Sequence, residues 1–77
     1  FADGVVIKGD VTDGNFFNNT VVGASREGIS IHRFRSLSIS NNIIAFNRWG
    51  IVNHDRESPV MGYNDVFANR HTDYSGC

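Results

Sequence analysis

The chain has too few cysteines to be held together by them. Its one cysteine is the last residue, Cys77, which excludes an internal disulfide framework and a zinc site built on cysteines. It has no long apolar run. The longest, Ile43 to Phe46, is four residues, against the roughly 20 a membrane-spanning helix needs, so no membrane insertion is expected. It has no excess of either charge. Seven Lys and Arg against eight Asp and Glu leave a formal net charge of −1, without the basic footprint that nucleic acid or an anionic membrane would call for. Leu37 is the one leucine and no stretch shows a helical stripe, which argues against leucine-rich and helical repeats.

What is present is 77 residues, 40% of them hydrophobic and 19% charged. That composition is globular rather than disordered. A chain this short buries only about 60% of its unfolded surface, so it forms one small domain at most. It opens on Phe1 without a basic stretch and apolar segment of the secretory kind, and closes on Cys77. We read it as a piece of a longer protein, or a processed one.

The informative feature is repetition. Asp3-Gly4-Val5-Val6-Ile7-Lys8 leads to Asn18-Asn19-Thr20-Val21-Val22-Gly23. Gly28-Ile29-Ser30-Ile31-His32 leads to Asn41-Asn42-Ile43-Ile44-Ala45-Phe46-Asn47. Gly50-Ile51-Val52-Asn53-His54 leads to Tyr63-Asn64-Asp65-Val66-Phe67-Ala68-Asn69. Gly4, Gly28 and Gly50 are 24 and 22 residues apart, and Asn19, Asn42 and Asn64 are 23 and 22 apart. Two independent markers thus keep nearly one period. Within it, Gly28–His32 and Leu37–Ser40 alternate apolar and polar, the period of half-buried strands. Val, Ile, Phe and Thr fill these segments, and Gly, Asn, Asp and Ser separate them. Three short strands per period of about 22 residues, joined by polar corners, describe one coil of a parallel β-helix.

These segments, with Leu37-Ser38-Ile39-Ser40 and the tail Asp73-Tyr74-Ser75-Gly76-Cys77, resemble right-handed parallel β-helix repeats of the pectin-lyase-like superfamily, including its carbohydrate-binding and sugar-hydrolase repeat group. The resemblance covers nearly the whole chain. It implies an all-β right-handed solenoid of about three coils (4–27, 28–49 and 50–77), part of a longer one, with neighbouring coils of the same chain as its packing partners. It also implies a secreted or cell-surface protein that meets a polysaccharide or glycan surface. Uronate lyases of this fold combine carboxylates clustered around calcium with a basic Arg or Lys, and related hydrolases use paired or triple aspartates. Neither cluster falls on one column here, so no cofactor is expected of this segment, and calcium is left to the parent protein.

Stacked coils turn the alignment into columns about 4.8 Å apart. Val5/Ile29/Ile51, Phe16/Ile39/Met61 and Val21/Ile44/Val66 are expected to face inward. So is Ile7/Ile31/Asn53, with Asn53 bonding to backbone at the strand end. Asn19/Asn42/Asn64 is read as a structural asparagine ladder at a corner that needs a left-handed residue, with Asn47/Asn69 repeating the device. The first line carries one extra residue around Gly9 to Asn15, expected as a longer corner loop or bulge.

For chemistry, Lys8, His32 and His54 each lie four residues after a marker glycine and are expected to point outward in one column. Arg33 and Asp55 follow at equal offsets, as do Arg35 and Glu57, which predicts two opposite-charge pairs between coils. This face admits two readings. In one, His32 and His54 work with Asp55 as acid and base, or Lys8 and Arg33 hold a sugar acid. In the other, all are solvated residues whose ion pairs set register. Asp10 to Gly14 is a faint calcium-loop pattern without the required acidic spacing, and Asn18-Asn19-Thr20 matches a glycosylation sequon. Trp49 and Phe34 are corner aromatics, able to stack on a sugar ring or to cover the core edge. Arg70 and His71 are assigned to a further coil. The function expected is a structural or carbohydrate-binding β-helix segment. The alternative is a fragment of a polysaccharide lyase, hydrolase or epimerase whose catalytic residues lie elsewhere.

Overall fold

The computed structural model describes residues 3–9 and 13–76. Ten strands follow one another: β1 (Val5–Ile7), β2 (Gly14–Phe17), β3 (Thr20–Val22), β4 (Glu27–Ile31), β5 (Leu37–Ser40), β6 (Ile43–Ala45), β7 (Trp49–Asn53), β8 (Val60–Gly62), β9 (Asp65–Phe67) and β10 (Thr72–Ser75). The described residues include no helix, and so none long and apolar enough to cross a membrane. The strands are short because Gly, Asn, Asp or Ser interrupts each apolar–polar alternation.

Every pairing is parallel and joins strands three elements apart. β1, β4, β7 and β10 form one sheet in that order, β2, β5 and β8 a second, and β3, β6 and β9 a third. One period of sequence therefore gives one strand to each sheet. Val5 opposes Ile29, and Ile29 opposes Ile51. Phe16, Ile39 and Met61 are in register, as are Val21, Ile44 and Val66. So are Ile7, Ile31 and Asn53. The four inward columns expected from spacing are the ones observed.

Ile29, Ile31, Ile39, Ile44 and Ile51 are fully buried, each contributing about 1.5–3 kcal/mol. Four of these five belong to the middle period, which has a neighbour on both sides. Val5, Ile7 and Phe16 on one side, and Met61 and Val66 on the other, are only partly buried against that core. Asn53 keeps its inward place because its amide is satisfied. Nδ2 donates to the carbonyls of Glu57 (2.7 Å) and Gly76 (3.1 Å), and Oδ1 accepts the N–H of Asp55 (3.0 Å).

The corners correct three expectations. The left-handed residue is not the ladder asparagine but the one before it. Asn18, Asn41 and Tyr63 precede Asn19, Asn42 and Asn64 with φ of 57°, 56° and 58°, and Phe46 and Ala68 precede Asn47 and Asn69 with φ of 59° and 54°. The tail is not the end of a third coil. β10 pairs parallel with β7, so residues from Thr72 on open a fourth period. The Arg33–Asp55 and Arg35–Glu57 pairs do not form. Among the described residues Arg26 pairs with Asp3, and the His54 imidazole meets Glu27. The extra residue of the first line lies between Ile7 and Gly14, since Ile7 opposes Ile31 while Gly14 opposes Leu37. The faint calcium pattern begins in residues 10–12, outside the described residues, as is Cys77.

The marker glycines have a packing cause. A Cβ on Gly28 would come within 2.9 Å of the Gly50 carbonyl oxygen and 2.7 Å of the Asn47 amide nitrogen. Both are closer than real Cβ contacts allow, so the start of the first-sheet strand admits no side chain.

Candidate functional site

The outer face of the first sheet gathers the titratable side chains. With Ile29 and Ile31 inward, Ser30 and His32 face out, and the same alternation turns Val52 and His54 out on β7. The ladder of backbone bonds continues past the strands: His32 N–H donates to the Ile7 carbonyl (2.8 Å) and His54 N–H to the Ile31 carbonyl (2.6 Å). These bonds place the two histidines over one another. Their rings stack with centroids 4.6 Å apart and planes 12° from parallel, within the usual range for aromatic pairs.

Each imidazole has a fixed partner. His32 Nε2 is 2.7 Å from Ser30 Oγ, so the ring folds back along its own strand. His54 Nε2–H donates to Glu27 Oε1 at 2.9 Å. Ser30 and Val52 are 1% and 8% exposed although they point away from the core. Glu27 is itself buried, and its N–H donates to Oδ1 of Asp3 (3.1 Å).

Lys8 lies at the end of this column rather than in the stack. It lines an open depression of about 650 Å³ with Val6, Gly9, His32 and Arg33. Thus Lys8, His32 and Arg33 are brought together, and His54 touches them through the His32 ring. Asp55 is engaged elsewhere. Its Oδ2 accepts the N–H of Phe34 (3.2 Å), and its Oδ1 accepts those of Arg56 (2.6 Å) and Glu57 (3.3 Å). The Glu57 N–H is the largest cause holding the Asp55 carboxyl below the ordinary carboxylate range. Partial desolvation opposes it, and the N–H groups of Arg56 and Phe34 and the charge of Arg33 act with it. The carboxylate partner of His54 is therefore Glu27, not Asp55.

Glu27 and Ser30 are the functional-face residues that spacing alone misses. Column logic compares equal offsets, whereas Glu27 opposes Trp49 and reaches His54 on a long diagonal. The one available signal was its place beside marker Gly28, where Asp3 precedes Gly4 in the first line.

Asn19, Asn42 and Asn64 stand at the corner between the second and third sheets. The N–H of Asn19 donates to Asn42 Oδ1 (3.0 Å) and that of Asn42 to Asn64 Oδ1 (3.1 Å). Asn42 Nδ2 donates to the carbonyls of Phe16 (2.9 Å) and Ser40 (3.0 Å). Among the described residues no buried side-chain polar atom lacks a partner, and no group of three or more His, Cys, Asp or Glu is placed to hold a metal ion. No family model, curated protein or solved structure matches the chain.

Proposed function

We propose that the chain is a stretch of right-handed parallel β-helix of the pectin-lyase-like kind, which presents its first-sheet face to a glycan as part of a secreted or surface protein. The parallel pairing of every third strand supports the architecture, and the right hand follows the general rule that about 98% of parallel connections within one sheet obey. The observation that carries the binding role is the open depression where Lys8, Arg33 and His32 converge beside a stacked imidazole pair. Cationic and N–H donors around an apolar floor, here Val6, suit a sugar ring with hydroxyl or acidic substituents. The test is retention of the full chain in gels containing polygalacturonate, alginate or dextran. Retention by an acidic polymer, lost in Lys8→Ala and Arg33→Ala, supports the reading. Migration unaffected by any polymer removes it.

One observation favours the alternative, a portion of a polysaccharide lyase, hydrolase or epimerase. A buried Glu27 bonded to His54 is the kind of acid–base pair that moves a proton. Incubation with the same polymers, followed for unsaturated product or new reducing ends, tests it. Turnover abolished by His54→Ala supports this alternative, and none in the full-length parent discards it.

A further inference from the structure

The corner leading into β4, β7 and β10 gathers cations at the opposite margin of the first sheet. Arg26 occupies it first, Arg48 next, then Arg70 with His71. Backbone bonds hold these corners side by side. The Arg48 N–H is shared between the carbonyls of Ala24 (3.1 Å) and Arg26 (3.2 Å), Arg70 N–H donates to Asn47 (2.9 Å), and His71 N–H donates to Arg48 (2.7 Å). Strands in a sheet lie about 4.8 Å apart, so like charges on adjacent corners repel unless an anion joins them. Asp3 meets Arg26 at 3.9 Å, but among the described residues neither Arg48 nor Arg70 has an ion-pair partner.

Trp49 arranges the donors. The Arg48 guanidinium carbon sits 4.8 Å from the indole centroid, a cation–π contact. The His71 ring meets the indole edge-on, with centroids 5.1 Å apart and planes at 73°. Arg48, Arg70 and His71 together line an open depression of about 270 Å³. A second depression of about 460 Å³, lined by Ser25, Arg26, Arg48 and Trp49, shares Arg48 with it. A planar carboxylate is matched by one guanidinium fork. Donors from three side chains on two corners suit a group with oxygens pointing in several directions.

We propose that Arg48, Arg70 and His71 form a subsite for a tetrahedral oxyanion, a sulfate or phosphate ester, carried on a glycan whose adjoining sugar occupies the second depression. Trp49 is a positioning residue that holds Arg48 and His71. The carrier rests on the glycan reading above; the oxyanion subsite does not, and the two are tested separately.

Trp49 is the one tryptophan, so its fluorescence reads the site. At constant ionic strength the full chain is titrated with sodium sulfate, sodium phosphate and sodium acetate. A saturable response to sulfate or phosphate, about tenfold stronger than to acetate, is expected. Arg48→Gln and Arg70→Gln should each weaken it about tenfold, with Arg56→Gln, an exposed arginine remote from these depressions, within about twofold of the parent. By calorimetry, Trp49→Phe retains sulfate binding within about threefold and Trp49→Leu loses it, the difference a ring-held guanidinium requires. Acetate matching sulfate, or indifference to both arginine substitutions, overturns the subsite. Dextran sulfate, phosphorylated dextran, plain dextran and oligo(dT) then test the carrier. Preference for either substituted dextran upholds the glycan and identifies the ester. Tighter binding of oligo(dT) overturns the glycan while leaving the oxyanion subsite standing.

Discussion

The side chain of Asn64 binds Asn42 twice: Oδ1 of Asn64 accepts the backbone N–H of Asn42 at 3.1 Å and its Nδ2–H at 3.0 Å. Asn42 offers Asn19 its own Oδ1 in turn. The corner backbone is thereby satisfied by the next period rather than by water, which is how a polar turn survives at 1% exposure.

Replacing Asn42 therefore strands several groups at once. Asn42→Ala leaves the Asn19 N–H and the Phe16 carbonyl without these partners and opens a cavity. A loss of about 3–5 kcal/mol is expected, read by urea unfolding. Asn42→Asp is nearly the same size but sets carboxylate oxygen where Nδ2 faced carbonyls, so it is no milder. A loss under about 1 kcal/mol in both would contradict a structural ladder.

Gly28→Ala tests the tight strand entry. Its Cβ would press on the Gly50 carbonyl and the Asn47 amide, a clash expected to cost about 1–3 kcal/mol. Gly62→Ala, where nothing lies within 4 Å of the added atom, should fall within about 1 kcal/mol of the parent. Equal melting temperatures for the two variants would refute the packing account of the marker glycines.

Asp55 predicts an acid dependence. Its carboxyl titrates below its ordinary value because backbone N–H groups, first that of Glu57, and the charge of Arg33 favour the anion. A lowered folded-state value means that the stabilisation is fully present above the unfolded value of about 3.9 and is lost as pH falls through the folded value. The melting-temperature difference between the parent and Asp55→Asn should shrink as pH is lowered from about 5 to about 2. A constant difference across that window would show that the anion contributes nothing.

Much of this arrangement is legible in sequence because two side-chain types, Gly and Asn, recur with the period to meet a steric or hydrogen-bonding need. The inward columns follow from them. Corner lengths are not legible in the same way. Two residues separate Ala24 from Glu27, one separates Asn47 from Trp49, and two separate Asn69 from Thr72. Equal offsets consequently fail to bring Arg26, Arg48, Arg70 and His71 together, although the fold does. The Arg33–Asp55 pairing fails for another reason: short-range backbone donors from Arg56 and Glu57 claim the carboxylate first. The Glu27–His54 contact spans a diagonal that no period describes.

The outer strands leave pairing edges open. β8 and β9 have a partner on one side, as do β1, β2 and β3, and the inward Phe16, Met61 and Val66 are only partly covered. Such edges recruit further strands. Sedimentation velocity across a concentration series should show the 77-residue chain associating end to end or aggregating. A chain that stays monomeric at every concentration would contradict this.

The most direct measurement is the set of through-space proton contacts in the NMR spectrum of the labelled chain. Parallel, in-register periods predict cross-peaks between the methyls of Ile29 and Ile51, between Ile39 and Met61, and between the ring protons of His32 and His54. Their absence from an assigned spectrum, or cross-peaks placing these strands antiparallel, would contradict the account.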